Sequence, residues 1–399
     1  MRLNLLLKGT YAPAREHRYN TPHTSRMDSK LRRFVVPLVA LLLGCLAYLL
    51  ITFAITVWRS PQSVTLLIGA FYDEGLVVDK NPVKAAQWYL RAAENGEPVA
   101  EYKTGFFTYY GRGVAVNHSK GLEWITRSAE HGNPDAQYFL GISNLAGTDQ
   151  PRSFAQAAMW FQKAAEQGHA KAQGDLARLY YRGDGVEASD QQAFALASKG
   201  SAQGDAESLI QLATIYAQGR GAPVDLERSV KLLAQAADTG SGKAYEMMGA
   251  AMLIGSGTPK DVPAAVQWFT RAAEQGRADA QFILGFLYSK GDEIPVDYPT
   301  ANRWLLKAAA QGHAFATAAL ALQVDTGRGF ERNKLKACGL LRVALKRKLP
   351  KNQYEVRDQL EREEKELSPG QLAEVAALEN LYSTPQGLGQ LLADITSVQ

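Results

Sequence analysis

At 399 residues the chain is long enough for two or three ordinary domains or one extended array, and 46% hydrophobic residues exclude a wholly disordered protein. The net charge of +4 is unevenly placed: residues 1–33 hold eight Lys or Arg against Glu16 and Asp28, which leaves 36 basic and 38 acidic residues in the remainder. A nearly neutral body carries no electrostatic footprint for nucleic acid, and two cysteines, Cys45 and Cys338, exclude a readable disulfide framework.

Residues 1–33 read as a basic, disordered tail. Residues 34–58, FVVPLVALLLGCLAYLLITFAITVW, contain no charge. As a helix this run spans roughly 37 Å, enough to cross a ~30 Å hydrocarbon core. Trp58 closes it at the interface position, and basic residues crowd its N-terminal flank while only Arg59 follows closely. The positive-inside rule then predicts a single-pass transmembrane helix in a bacterial inner membrane, with the N-terminus cytoplasmic and the body periplasmic. Leu42-Leu43-Gly44-Cys45 also resembles a lipobox, so a lipoprotein acylated at Cys45 is the alternative, although the residues after Cys45 stay apolar. A cleaved signal peptide is a third reading. Met27 is a plausible true start in each case.

From residue 64 a fixed period appears. Tryptophans fall at 88, 124, 160, 268 and 304, every gap a multiple of 36, and Leu196 and Leu232 hold the vacant positions. Gly75, Gly111, Gly147, Gly183, Gly219, Gly255, Gly291 and Gly327 share the register. So do Gly96, Gly132, Gly168, Gly204, Gly240, Gly276 and Gly312, a column broken by Lys348. Asn81, Asn117, Ser153, Ser189, Asp225, Asp261, Asp297 and Asn333 form a column of helix N-cap residues. Each unit therefore reads as a first helix (Ala136 to Ala146, for example) ended by glycine, a short loop, and a second helix (Ala155 to Gln167) started by the cap. Small residues at Gly69, Gly105, Gly141, Ala177, Ala213, Gly249, Gly285 and Ala321 predict close packing within the hairpin. Trp160, with Tyr89, Phe161 and Phe269, is expected in the core between hairpins.

The unit AQYFLGISNLAG…AAMWFQKAAEQGHA resembles the Sel-one-like repeat, a relative of the tetratricopeptide repeat. The likeness recurs over residues 64–348 as about eight units; units four and five lack Trp, and the eighth lacks both Trp and its closing glycine. The resemblance implies an all-α, right-handed superhelical solenoid of antiparallel hairpins and a role as adaptor or scaffold, with bacterial relatives often in the envelope or secreted. Residues 349–399 then read as capping helices: a charged one from about Asn352 to Leu367, another from the Ser368-Pro369-Gly370-Gln371 capping box to about Tyr382, and a weakly patterned tail from Thr384.

No catalytic, metal or cofactor motif emerges: no HExxH, no GxSxG and no phosphate loop after a strand is present. His131, His169 and His313 fall in repeat-equivalent turns and read as solvated, and Cys338 reads as a small buried hydrophobe. A second stripe on the first helices, about 120° from the packed face, is sharper. It holds Tyr102, Phe106 and Tyr109 in unit two, Tyr138, Ile142 and Leu145 in unit three, and Phe282 and Phe286 in unit seven. These side chains are either a groove for a peptide or packing between neighbouring first helices. The leading function is a membrane-anchored periplasmic protein-interaction scaffold without catalysis, cofactor or small-molecule substrate, its partners being envelope or membrane-complex proteins. A secreted or surface-exposed protein that binds host proteins, or an envelope hydrolase, are the alternatives.

Overall fold

The computed structural model describes residues 61–75, 77–149, 151–347 and 354–396. The basic tail, the run 34–58, Met27 and Cys45 lie outside the described residues, among which no helix is long and apolar enough to cross a membrane.

The described residues form nineteen α-helices and no strand. The first sixteen make eight hairpins: α1 (Pro61–Glu74) with α2 (Pro82–Ala93), α3 (Pro98–Tyr110) with α4 (His118–Glu130), α5 (Pro134–Ala146) with α6 (Phe154–Glu166), and α7 (Ala170–Arg182) with α8 (Asp190–Ala202). Then follow α9 (Ala206–Gln218) with α10 (Leu226–Asp238), α11 (Gly242–Ile254) with α12 (Val262–Glu274), α13 (Ala278–Lys290) with α14 (Tyr298–Ala310), and α15 (Ala314–Thr326) with α16 (Lys334–Lys346). Each first helix lies along its own second helix, and each second helix packs on the next first helix. The result is a helical solenoid.

Local chemistry sets the hairpin ends. All eight predicted cap residues accept a hydrogen bond from the backbone N–H three residues on, Asp261 from Ala264 at 2.9 Å, for example. At the C-terminus of α5, Gly147 takes φ 68, a left-handed conformation that glycine enters without a Cβ clash, and its N–H returns to the Ser143 carbonyl.

Inside five of the eight hairpins a large side chain of the second helix seats on a glycine of the first, twenty positions earlier. A Cβ on Gly141 would overlap the Phe161 ring, and one on Gly69 would stand 2.6 Å from the Tyr89 ring. Ile125, Phe269 and Leu305 seat in the same way on Gly105, Gly249 and Gly285. The close approach expected from the glycines is therefore between side chain and helix, and Tyr89, Phe161 and Phe269 are buried in it. The tryptophans do otherwise. Trp160, expected in the core, is half-buried: it covers Ile125, Ala129, Ala136 and Leu140 of the preceding unit boundary while Lys163 lies 4.4 Å over its ring. Trp88, Trp124, Trp268 and Trp304 carry a cation three residues on in the same way.

Amides, one of each pair buried, tie one unit to the next. Gln137 donates to the Ala129 carbonyl at the end of α4, and its own oxygen accepts from Gln167 beyond α6. Gln173 with Gln203, and Gln281 with Gln311, repeat both bonds. At the end of the array Arg347 takes over, donating to the Ala309 carbonyl and to Thr317.

The eighth hairpin is covered by α17 (Tyr354–Glu364), α18 (Pro369–Tyr382) and α19 (Pro385–Thr396). The Ser368 and Gln371 side chains make the predicted reciprocal capping box. The tail from Thr384 is not irregular: α19 turns back onto α14 and α18, and Leu388 and Leu391 enter the terminal core with Leu305, Leu340 and Tyr382. Two helical leucines next to two glycines gave too weak a pattern to reveal it. Cys338 is buried as expected, and that burial, with Glu363 beside it, pushes its thiol up to about 12.

The Gly141–Phe161 seat makes a signed prediction. Helix propensity alone favours Ala over Gly by about 1 kcal/mol, but overpacking costs about 1–3 kcal/mol. Gly141→Ala should therefore lower stability in chemical denaturation, and Phe161→Leu in the same chain should recover part of the loss. A stabilising Gly141→Ala would show that the seat has slack.

Candidate protein-binding surface

The first helices present one long face, and its side chains divide into two kinds. Tyr102 packs on Ile125, Ala129, Ala136 and Leu140, so it joins unit two to unit three. Tyr138 packs on Ala157 and Phe161, and its ring stacks on His169 at 4.8 Å. Phe282 stacks on His313 at the same distance and packs on the terminal core. Leu145 covers the Phe161 cluster. Phe106 packs on the cluster of Ala85, Ala86, Tyr89 and Phe107, with Tyr110 4.6 Å from its ring. Tyr109 meets Phe139 and His118 edge-on and donates to Asp149 at 2.8 Å. Ile142 and Phe286, in contrast, are 38% and 47% exposed.

Other exposed apolar residues share this face: Tyr110 at 55%, Ile254 at 73% and Leu322 at 47%. Sequence reasoning missed them because it followed aromatic stripes within single helices. The available signal was spacing: Tyr110 and Ile254 stand four units apart, as do Ile142 and Phe286. Beside Ile254 and Phe286 lies a cleft of about 310 Å³, also lined by Leu253 and Leu287. Its rim is closed by the ion pairs Lys260–Glu293 at 2.6 Å and Lys290–Asp292 at 2.7 Å.

Between the two apolar spots the face is charged and internally paired. Tyr138 donates to Asp175 at 3.2 Å, and Arg178 bonds Asp175 at 2.9 Å and lies 3.7 Å from Glu207. Glu207 also holds Lys243, and Glu246 holds Arg277. Burial pushes the Asp175 carboxyl up against the opposing pull of Arg178, and burial with Asp175 raises the Tyr138 hydroxyl.

The histidines are not merely solvated. Nδ1 of His169 and of His313 accepts the helix-start N–H of Ala172 and Ala316 at 3.1 Å, while Nε2 faces Asp135 and Asp279. They are N-caps of α7 and α15, an unusual choice that loop position alone does not reveal. His131 bonds Glu101, a buried carboxylate that also pairs with Arg127.

Stacked hairpins that leave one helix face open to other molecules define a helical-repeat scaffold. The Sel1 repeat model matches residues 66–97, 98–133, 134–169, 170–205, 206–241, 242–276 and 278–313, and the chain belongs to the Sel1 repeat family. The eighth hairpin lies beyond these matches yet keeps the same caps. A Sel1 repeat protein from Oxalobacter formigenes is 36% identical, with 65% of this chain and 76% of that one covered at a TM-score of 0.51. A protective antigen present in uropathogenic Escherichia coli strains is 23% identical, with 86% and 88% covered at 0.48. An immunity protein from Pseudomonas aeruginosa is 23% identical, with 66% and 82% covered at 0.38. No curated protein matches. Sel1-repeat proteins are generally protein–protein interaction scaffolds and typically non-catalytic.

Two outcomes follow from this division of the face. Tyr138→Ala should cost more stability than Ile142→Ala or Phe286→Ala in thermal unfolding, since Tyr138 is half-buried against His169, and truncating a fully buried aromatic costs about 3–5 kcal/mol whereas surface changes cost about 0.5 kcal/mol or less. Equal losses would place Ile142 and Phe286 in the packing as well. The Tyr102 and Tyr109 hydroxyls are pushed up to about 12, by burial first and then by Asp135 and Asp149 respectively. The folded state thus favours their neutral form. That contribution is complete below about pH 10 and lost as pH rises through about 12, so an alkaline titration followed by circular dichroism should show stability falling across that window.

Proposed function

We propose that the chain is a membrane-anchored periplasmic scaffold whose first-helix face holds a partner protein at two apolar spots. The observation that carries this reading is the pairing of Tyr110 and Ile142 in units two and three with Ile254 and Phe286 in units six and seven, the same two helix positions four units apart. Two rigidly spaced anchors of this kind favour an elongated partner or one with two equivalent contacts, since joining them makes the second contact intramolecular. The charge band between them pairs within itself, so it shapes the face without demanding a counter-charge.

The anchor and its direction rest on sequence. The uncharged run 34–58 is long enough to span, and its basic flank is N-terminal. Partners are accordingly envelope or membrane-complex proteins, and the alternative attachment is an acyl chain on Cys45.

The test has two arms. A phosphatase fused after Gln399 should be active in the periplasm of a bacterial host, and Cys45→Ser should leave fatty-acid labelling and mature mass unchanged. An inactive phosphatase with an active cytoplasmic reporter would reverse the orientation, and labelling that follows Cys45 would replace the anchor by a lipoprotein. After crosslinking in cells, Ile142→Ala and Phe286→Ala should each weaken partner capture by roughly thirtyfold, the equivalent of a hot-spot loss of about 2 kcal/mol. Undiminished capture by both variants would remove the two-spot reading.

A further inference from the structure

A second surface lies on the other side of the array, where α19 folds back beside α14. The two helices leave an open trough of about 480 Å³. Trp304 and Ala310 of α14 and Pro385 and Gly389 of α19 line its open surface, with the buried Leu306 and Leu388 beneath them. Gly389 faces open space: a Cβ there would meet no atom within 4 Å.

Charge at the trough departs from that of the other Trp-bearing units. In those units, the position before Trp is Gln87, Glu123, Met159 or Gln267, and the position six residues after it is Glu94, Glu130, Glu166 or Glu274. Unit five, without Trp, also has a cation, Lys231, at the first of the two positions, and unit four an alanine, Ala202, at the second. In unit seven the two positions hold Arg303 and Ala310. One positive charge is gained and one negative charge is lost at the place that α19 turns into a trough. Lys307 keeps its place over the Trp304 ring at 4.2 Å, and the Arg303 guanidinium bonds the Thr300 hydroxyl at 3.1 Å. Among the described residues the trough lining contains no carboxylate. Arg303 and Lys307 are like charges four apart on one helix, which is mildly unfavourable, and the Asp297 carboxylate at the start of α14 offsets part of the charge of Arg303.

We propose that this trough docks an acidic amphipathic helix of a partner protein, its apolar side chains on Trp304, Ala310 and Pro385 and its carboxylates on Arg303 and Lys307. The trough is open along one side between two helices, so a helix can lie in it with its polar side in water. A single alkyl chain would be left partly wet there, whereas small-ligand sites enclose most of their occupant. The surface belongs to a second helix and the C-terminal cap. It is separate from the first-helix face, and its occupancy does not depend on what that face binds.

The test uses the full chain in phosphatidylcholine nanodiscs and a labelled helical peptide with Leu at i, i+3 and i+7 and Glu between them. The expected result is saturable binding, measured by fluorescence anisotropy, that weakens as salt is raised. Gly389→Leu fills the trough and should reduce affinity by about tenfold or more, as should Arg303→Glu with Lys307→Glu. Both changes are at exposed positions, and unchanged thermal unfolding confirms that they leave the fold intact. Ile142→Ala and Phe286→Ala should leave this peptide's binding unaltered, which separates failure here from failure of the first-helix reading. Absence of binding, equal binding of a peptide with Lys in place of Glu, or indifference to Gly389→Leu would each overturn the proposal. Preferential binding to phosphatidylglycerol vesicles, abolished by Gly389→Leu, would overturn it in favour of a lipid.

Discussion

Five of the eight hairpins depend on a single steric fit: a large side chain from one helix lying against a helix with no Cβ in the way. Helices of thirteen residues are marginal alone in water, so each hairpin is stabilised by what its two helices bury together. Glycine at 69, 105, 141, 249 and 285 weakens its own helix but lets Tyr89, Ile125, Phe161, Phe269 and Leu305 sit deep. The fit also sets the register, because a slip by one residue would present a side chain to the ring. Where the small residue is Ala177, its counterpart shrinks to Ala197. In units four and five, which also lack Trp, the solenoid tightens in another way: α7 and α9 approach directly, with Gly174 against Ser208 and Asp205.

Hydrophobic seats fix five of the hairpins, but polar bonds fix the step between hairpins. The Gln137–Gln167 amides span three helices, α4, α5 and α6, at one turn of the solenoid. The Gln137 side of this pair is buried, so its amide is costly if unpaired and directional when paired, and it specifies the angle at which the next unit is added more sharply than alanine contacts can. The variations on the theme mark the ends. Glu101 with His131 and Arg127 occupies the position near the start, and Arg347 with Thr317 occupies it at the finish. At that last position burial holds the guanidinium of Arg347 below its ordinary value while it bonds carbonyls of two different helical segments, Ala309 and Ser383. An arginine there closes the repeat and joins it to the cap.

Most of the fold was legible because a repeat writes each physical requirement several times. One capping Asn proves little, but eight Asn, Ser or Asp at one spacing read as a column, and all eight cap. The seats were half legible: the small residues stood out, but their partners twenty positions later vary from Tyr to Ala and hide the column. Trp160 misled because its size suggested a core, whereas its place beside Lys163 makes it a cover over the neighbouring unit. The candidate binding stripe was the least legible part. Helical spacing finds which side chains share a face, but whether Tyr138 is covered and Ile142 is not depends on the neighbour that covers them, and His169 gave no sign of being that neighbour.

The open surfaces differ in the kind of force they offer. On the first-helix face the charges between the apolar spots are already spent on one another: Arg178 on Asp175 and Glu207, Lys243 on Glu207, Arg277 on Glu246. A partner bound there gains from Ile142, Ile254 and Phe286 and should respond weakly to ionic strength. At the α14–α19 trough no carboxylate lines the described surface beside Arg303 and Lys307, so an acidic partner there would be attracted over a distance and the attraction would fade with salt. The same repeat supports both because the seats and amide bonds occupy only some positions of each helix. The remaining positions are free to change from unit to unit, and it is there, at residues such as Arg303, Ala310 and Phe286, that the units stop resembling one another.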